Sequence, residues 1–207
     1  MISKRLFDLC ASLAGLVVLS PLFLLITILI KRDSSGPVFF RQTRIGLRGQ
    51  PFRIHKFRTM ATEHPAKDLQ LTVGADSRIT GTGRWLRNYK LDELPQLIDV
   101  VRGKMSLVGP RPEVPKYVEH YPPDVKQTVL SVRPGITDNA SIEYRDENDI
   151  LAKAGDPERE YIEKVMPVKL EYYMRYVEER SMTGDIAIIL RTFGAVFHQE
   201  TPPRPGL

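Results

Sequence analysis

The chain opens on its most lopsided hydropathy pattern. From Leu9 to Ile30 no side chain is charged, and apolar residues occupy all faces rather than one stripe. At about 1.5 Å per helical residue, such a run matches the roughly 30 Å of a bilayer's hydrocarbon core. Ser20-Pro21 interrupts it midway. Proline lacks a backbone donor and collides with the carbonyl four residues earlier, so a kink is predicted there, with the serine hydroxyl placed to satisfy the freed group. Lys4 and Arg5 precede the run and Lys31 and Arg32 follow it, so the positive-inside rule gives no direction. Positive charge at both ends and a break between them predict a re-entrant membrane helix over residues 1–33, returning to the face it left. A kinked single span is the competing reading. A secretory signal fits less well, because the run is long and lacks a small-residue cleavage pattern. A core helix fits less well because the run is apolar all round. No second run of this kind follows, so a polytopic protein is not expected.

Downstream the pattern shortens. Ser34-Ser35-Gly36-Pro37 reads as a turn, and Val38–Gln42 and Pro51–Phe57 as two strands of a hairpin turning through Gly46 and Gly49. The second strand alternates imperfectly around His55 and Phe57. A polar stretch without period runs to about Gly83. From Arg84 the spacing of Leu86, Leu91, Leu94, Leu97, Ile98 and Val101 predicts a helix ending near Gly103. Met105–Pro115, rich in Gly and Pro, predicts an ordered loop or irregular strand, and Asp124–Ser131 a helix between proline-marked turns. Pro157–Arg180 reads as a long amphipathic helix interrupted near Pro167. Asp185–Phe197 reads as a last helix, packed on the core or lying at a membrane surface. Residues 201–207 read as an unstructured tail.

Composition narrows the function classes only a little. Among 207 residues, 30 Lys+Arg against 25 Asp+Glu give a net charge of +5, which fits an anionic partner without naming it. The single cysteine, Cys10, excludes an internal disulfide. No nucleic-acid-binding motif accompanies the charge, so nucleic acid is not an expected partner.

The densest set of chemical side chains lies between Lys56 and Arg111. In Leu91-Asp92-Glu93-Leu94-Pro95, proline belongs in a first helical turn, which places Asp92 near an N-cap. Asp92 then simply caps the helix and Glu93 favours its dipole, or the pair works as a reactive site that recruits a divalent cation such as Mg²⁺ beside a phosphate. Spacing does not choose between these. Lys56 and Arg87 precede the pair or its helix, and Arg111 follows, held between Pro110 and Pro112 with Gly109 allowing close approach. That setting suits bidentate phosphate contact, or an ordinary surface arginine.

These motifs carry a resemblance. Lys4-Arg5-Leu6-Phe7-Asp8, Ser20-Pro21, Gly36-Pro37-Val38-Phe39-Phe40-Arg41-Gln42, Lys56-Phe57-Arg58-Thr59-Met60, Leu91–Gln96, Ser106–Pro112 and Arg133-Pro134-Gly135-Ile136-Thr137 follow one another in order over residues 4–137. So arranged, the chain resembles the bacterial sugar transferases, the monotopic phosphoglycosyl transferases, in their small form. The resemblance implies transfer of a sugar-1-phosphate from a UDP-sugar to polyprenyl (undecaprenyl) phosphate with release of UMP. It also implies a ping-pong route with Asp92 as nucleophile, Glu93 as its dyad partner, and an aspartyl-phosphosugar intermediate. Mg²⁺ at Asp92 and Glu93, with Lys56, Arg87 and Arg111, would offset the repulsion between a carboxylate and a diphosphate. The implied class is α+β and mainly helical: the re-entrant helix, a cytosolic catalytic domain over 34–200 carrying a small β-hairpin and amphipathic interfacial helices, and the tail. The implied location is the cytoplasmic face of a bacterial inner membrane. A homodimer is compatible with the C-terminal helices.

One segment departs. Where much of the family continues with Gly-Trp-Ala-Gln, this chain reads Asp138-Asn139-Ala140-Ser141-Ile142-Glu143-Tyr144-Arg145. Asn139, Ser141, Glu143 and Arg145 there are candidates for sugar or nucleotide contact, or else part of a turn and exposed strand. A non-catalytic, membrane-anchored scaffold that binds lipid phosphate is the alternative of a different class, and it makes Asp92 and Glu93 dispensable.

Overall fold

The computed structural model describes residues 2–61 and 76–197. The first break falls where the Ser20-Pro21 pair predicts it. Helix α1 (Ile2–Val18) and helix α2 (Ser20–Asp33) meet at a bend of 60°. Proline at position 21 leaves the Val17 carbonyl without its helical donor, and the Ser20 hydroxyl replaces it at 2.8 Å. No single helix among the described residues is long and apolar enough to cross a membrane, but the bent pair passes that test together. One face of the pair packs on the rest of the chain, through Asp8 and Ser12 of α1 and Ile26 and Ile30 of α2. The other leaves Leu13, Val17, Val18, Leu24, Leu25 and Ile28 uncovered.

Strands β1 (Phe39–Ile45) and β2 (Pro51–Phe57) form an antiparallel hairpin with Phe39 opposite Phe57 and Ile45 opposite Pro51. β1 runs three residues beyond the predicted Gln42. In the turn it is Arg48 and Gly49 that take left-handed backbone, whereas Gly46 stays extended. The imperfect alternation of β2 has a simple cause: the strand is covered on both sides. Phe57 packs with Ile26, Ile30 and Leu86, while Phe52 and Ile54 pack with Val100 and Met105. His55 is buried too, its backbone N–H and its Nδ1 both bound to Asp99, at 2.8 and 2.6 Å.

The helix expected over Arg84–Gly103 is two. Helix α3 (Gly81–Asn88), capped by the Thr80 side chain, stops at Tyr89. Lys90 then turns left-handed (φ 54°), and a single tight turn over Leu91–Glu93 leads into helix α4 (Gln96–Val101) behind Pro95. The apolar spacing runs through the break because both halves bury the same side, but an αL residue cannot continue a right-handed helix. Strand β3 (Ser106–Val108) resolves the Gly/Pro-rich stretch and pairs in parallel with β4 (Gly135–Thr137), helices α5 (Pro115–Val118) and α6 (Pro123–Val129) lying between them in sequence.

After β4 comes no exposed strand. Asp138 caps helix α7 (Asn139–Glu143) by accepting the Ser141 N–H at 2.9 Å, which is why the polar run coils. Helices α8 (Glu147–Ala152) and α9 (Pro157–Glu160) follow, and a wide turn over Tyr161–Val165 joins α9 to α10 (Met166–Glu179), with Pro167 in its first turn as expected for an interruption there. Their core gathers Tyr117, Val118, Tyr161, Met166, Leu170 and Tyr173. Helix α11 (Met182–Phe197) both packs and faces outward: Ile188 is buried, and Ile186, Leu190 and Phe193 are exposed. The predicted tail lies outside the described residues, as does most of the polar stretch before Gly83. Among the described residues the class is thus mostly helical with two small two-stranded sheets.

Arg58 explains how α2 leaves the domain. Its buried guanidinium donates to the carbonyls of Ser34 at 2.6 Å and Ser35 at 2.5 Å, and to Ile30 at 3.4 Å, closing the C-terminal end of α2 with a cation. Arg58→Ala removes a charged donor from those carbonyls, Ile30 keeping the Ser34 N–H at 3.2 Å, and is expected to lower stability on the order of 2 kcal/mol in chemical denaturation.

Candidate active site

The tight turn at Leu91–Glu93 is the centre of the site. Because Lys90 is left-handed and Pro95 starts α4, Asp92 stands three residues ahead of the helix's cap position and makes no capping bond. The reading of Asp92 as an N-cap therefore fails. Its side chain is only 8% exposed, yet among the described residues no hydrogen bond or ion pair engages its carboxylate. Glu93 is the opposite case. Lys56 Nζ donates to its Oε1 at 2.8 Å, Arg111 Nη1 to its Oε2 at 3.0 Å, and Arg111 Nη2 also to Oε1.

Three segments converge here for local reasons. Lys56 reaches the turn from β2, whose flanking residues His55 and Phe57 are locked in the core. Arg111 arrives from the loop after β3, where Gly109 and Gly135 cross so closely that a Cβ on Gly135 would sit 2.1 Å from the Gly109 nitrogen. Arg87 comes from α3, steadied by Nε donation to Thr59 Oγ1 at 2.9 Å. Its field reaches Asp92, as do those of Lys56 and Lys90.

Burial sets the electrostatics. Loss of hydration, with Glu93 adjacent, raises Asp92 above the ordinary carboxylate value of 3.8. Burial also pushes Glu93 upward, but Arg111 and Lys56 together outweigh it and hold Glu93 well below 4.5. Burial lowers Lys56 and Arg87, whereas the Glu93 carboxylate raises Arg111. The folded value of Asp92 lies above its unfolded one. Its contribution to stability is therefore fully present below about pH 3.8 and is lost as pH rises through the higher folded value. Glu93 has the opposite sign, contributing above 4.5 and losing that contribution as pH falls through its depressed folded value. Asp92→Asn is accordingly expected to gain stability over wild type at pH 7 and to lose that advantage on acidification, which thermal melts across pH would show.

The structure thus brings Lys56, Arg87, Asp92, Glu93 and Arg111 to one place. The other candidates go elsewhere. Asn139 and Glu143 accept from Arg191 of α11 at 3.0 and 3.2 Å, Ser141 Oγ donates to Asp138 at 2.6 Å, and Arg145 donates to the Ala195 carbonyl. These bonds hold α7 to α11 and its own cap. From this segment it is Asp138, a buried carboxylate, whose field reaches Arg111 and Tyr173. It does not stand out as the first residue of a polar run, though an Asp three positions before a Ser whose N–H it can accept is a capping signal. Asp99, also missed, is 1% exposed on α4 and grips His55 beside Lys56; an Asp among the apolar residues of a short helix was its only mark.

Residues 1–199 match the family model described as bacterial sugar transferase. Among curated proteins the chain is similar to a UDP-glucose:undecaprenyl-phosphate glucose-1-phosphate transferase of Klebsiella pneumoniae, 39% identical over 93% of this chain and 39% of the relative. It is 33% identical to the UDP-N-acetylgalactosamine-undecaprenyl-phosphate N-acetylgalactosaminephosphotransferase of Aeromonas hydrophila, over 93% of this chain and 43% of that one. The exopolysaccharide production protein ExoY of Sinorhizobium fredii is 36% identical over 94% of this chain and 85% of its own length. The chain spans about two fifths of the length of the first two relatives.

Proposed function

Because the chain belongs to the bacterial sugar transferases, we propose that it moves a sugar-1-phosphate from a UDP-sugar to a polyprenyl phosphate, initiating a lipid-linked glycan. The observation that carries this reading is the contrast within one buried dyad: Lys56 and Arg111 both bond Glu93, and among the described residues nothing bonds the Asp92 carboxylate. An idle structural pair would share its partners. The relatives' names make UDP-glucose and UDP-N-acetylgalactosamine the first donors to try.

In the first step an Asp92 carboxylate oxygen forms a bond to the sugar-bearing phosphorus of the donor. The bond from that phosphorus to the bridging oxygen breaks, and UMP departs with the electron pair. A carboxylate needs no base to act, so no proton moves. In the second step an oxygen of the lipid phosphate bonds to the same phosphorus, and Asp92 is released as a carboxylate. Atoms balance across this ping-pong route: UDP-sugar and lipid phosphate become UMP and lipid diphosphate sugar.

Lys56, Arg87 and Arg111 supply the positive field that an anion attacking an anion requires. Glu93 spends one negative charge to hold Lys56 and Arg111 beside Asp92, so this trio stays net positive and fixed. A divalent cation fits this arrangement through Asp92, since Mg²⁺ commonly takes one or two carboxylates together with substrate phosphates. Glu93 would join only by giving up Arg111 or Lys56. Bound there, Mg²⁺ would neutralise diphosphate charge.

The bent pair of α1 and α2 gives this site its lipid address. Its uncovered face, with Leu13, Val17, Leu24 and Ile28, enters one leaflet of the cytoplasmic membrane and returns, leaving the domain on the cytoplasmic side. Lys31 and Arg32, exposed at the end of α2, stay with the headgroups, whereas Lys4 and Arg5 turn inward to Asp185 and the Val101 carbonyl. The test is a panel of radiolabelled UDP-sugars with purified protein, Mg²⁺ and undecaprenyl phosphate. The reading expects UMP release and label entering the organic phase for at least one donor; no turnover with any of them overturns it in favour of the scaffold.

A further inference from the structure

A charged residue inside the anchor is the feature the reaction has not used. Asp8 sits on α1, one residue before the uncharged run, and is 2% exposed. Ser106 Oγ donates to its Oδ2 at 2.7 Å, the Leu107 N–H points to its Oδ1 at 3.4 Å, and Lys4 Nζ lies 3.8 Å away. Lys4 also donates to Asp185 of α11 at 2.6 Å. The Tyr176 hydroxyl closes the circuit, 3.0 Å from Asp185 Oδ1 and 2.9 Å from the Val108 carbonyl. The groups engaged on β3 are the Ser106 side chain, the Leu107 N–H and the Val108 carbonyl. They leave the Ser106 N–H to bond the Pro134 carbonyl at 2.8 Å, beside β4.

What β3 leads to gives this circuit its meaning. Three residues after Val108 stands Arg111, whose guanidinium grips Glu93. The intervening Gly109 is wedged against Arg133 and Gly135 backbone, so the segment has no slack to absorb a displacement of β3. A buried carboxylate is costly unless several donors satisfy it, and here Ser106 and Leu107 donate from the strand that leads into the Arg111 loop.

We propose that Asp8 is a positioning residue: with Ser106 it latches the anchor helix to β3 and so sets the height of the Arg111–Glu93–Asp92 group above the bilayer. This rests on the transferase reading. The consequence is a split between the two half-reactions. A UDP-sugar arrives from water and meets Asp92 wherever the domain rides. A lipid phosphate is held at a fixed depth, and a misplacement on the order of 1 Å costs up to about a hundredfold.

The experiment uses purified protein in phospholipid vesicles and measures the halves separately: phosphosugar adduct formed from UDP-sugar alone, and kcat/KM for undecaprenyl phosphate. Asp8→Ala and the milder Ser106→Ala are expected to lower kcat/KM for the lipid about tenfold or more while changing the adduct rate less than about threefold. Asp8→Asn, which keeps an acceptor for Ser106, should recover most of the loss. Equal loss in both halves, or no loss in either, overturns the latch. A second arm does not need activity. In a Cys10→Ser background, spin labels at Val17→Cys on α1 and Glu119→Cys, both exposed positions, report the place of α1 on the domain. One narrow distance should broaden with Asp8→Ala and sharpen again with Asp8→Asn, and an unchanged distribution contradicts the latch. Failure of wild-type turnover with an intact distance response would sink the transferase reading and leave the mechanical latch standing.

Discussion

Asp92→Asn is expected to reduce UMP release by at least about a thousandfold while the protein stays folded. Asp92 makes no structural bond among the described residues, so replacing its charged oxygen by an amide removes the nucleophile without orphaning a partner. Burial and the adjacent Glu93 raise its affinity for a proton, which means the native fold already carries an uncompensated cost at neutral pH. The isosteric amide relieves that cost. Loss of activity with gain of stability is the signature of a group retained for chemistry; a scaffold of the same fold would show the gain in stability but no UMP release to lose. Steady-state UMP release and thermal melts on one preparation check both halves of the statement.

Arg111→Ala carries the second large effect and the opposite stability sign. Glu93 loses the bidentate partner that outweighs its burial, and a buried carboxylate left with Lys56 alone should cost on the order of 3 kcal/mol. Activity should fall about a hundredfold to a thousandfold, because a fixed donor to the developing phosphate charge disappears and Lys56 is drawn toward Glu93 alone. Arg111→Lys should recover little. An ammonium keeps the charge but cannot span both Glu93 oxygens as Nη1 and Nη2 do. Denaturant unfolding and kcat/KM for the donor separate the two losses.

Much of this site was legible from single residues. Pro21 announces a break because its chemistry is local, and the structure adds only that Ser20 fills the vacancy at Val17. Lys56, Arg87, Asp92, Glu93 and Arg111 stood out by residue type, and the fold brings them together. The division of labour inside the dyad was hidden, since two adjacent carboxylates read alike until Lys56 and Arg111 choose one of them. The helix break at Lys90 was hidden for another reason. Apolar spacing reports which side is buried, not whether the backbone that buries it is continuous, and a left-handed lysine has no compositional mark. Asn139, Ser141, Glu143 and Arg145 looked available to a ligand because they are polar. Arg191 and Ala195, some fifty residues on, account for three of them, a pairing that only the tertiary fold sets.

The most direct test of the account is the intact mass of the protein after incubation with an accepted UDP-sugar and no lipid acceptor. A gain of one glycosyl phosphate, mapping to the peptide that contains Asp92 and discharged by added undecaprenyl phosphate, is the predicted result. Turnover with the lipid acceptor but no adduct without it, or an adduct on any residue other than Asp92, would contradict it.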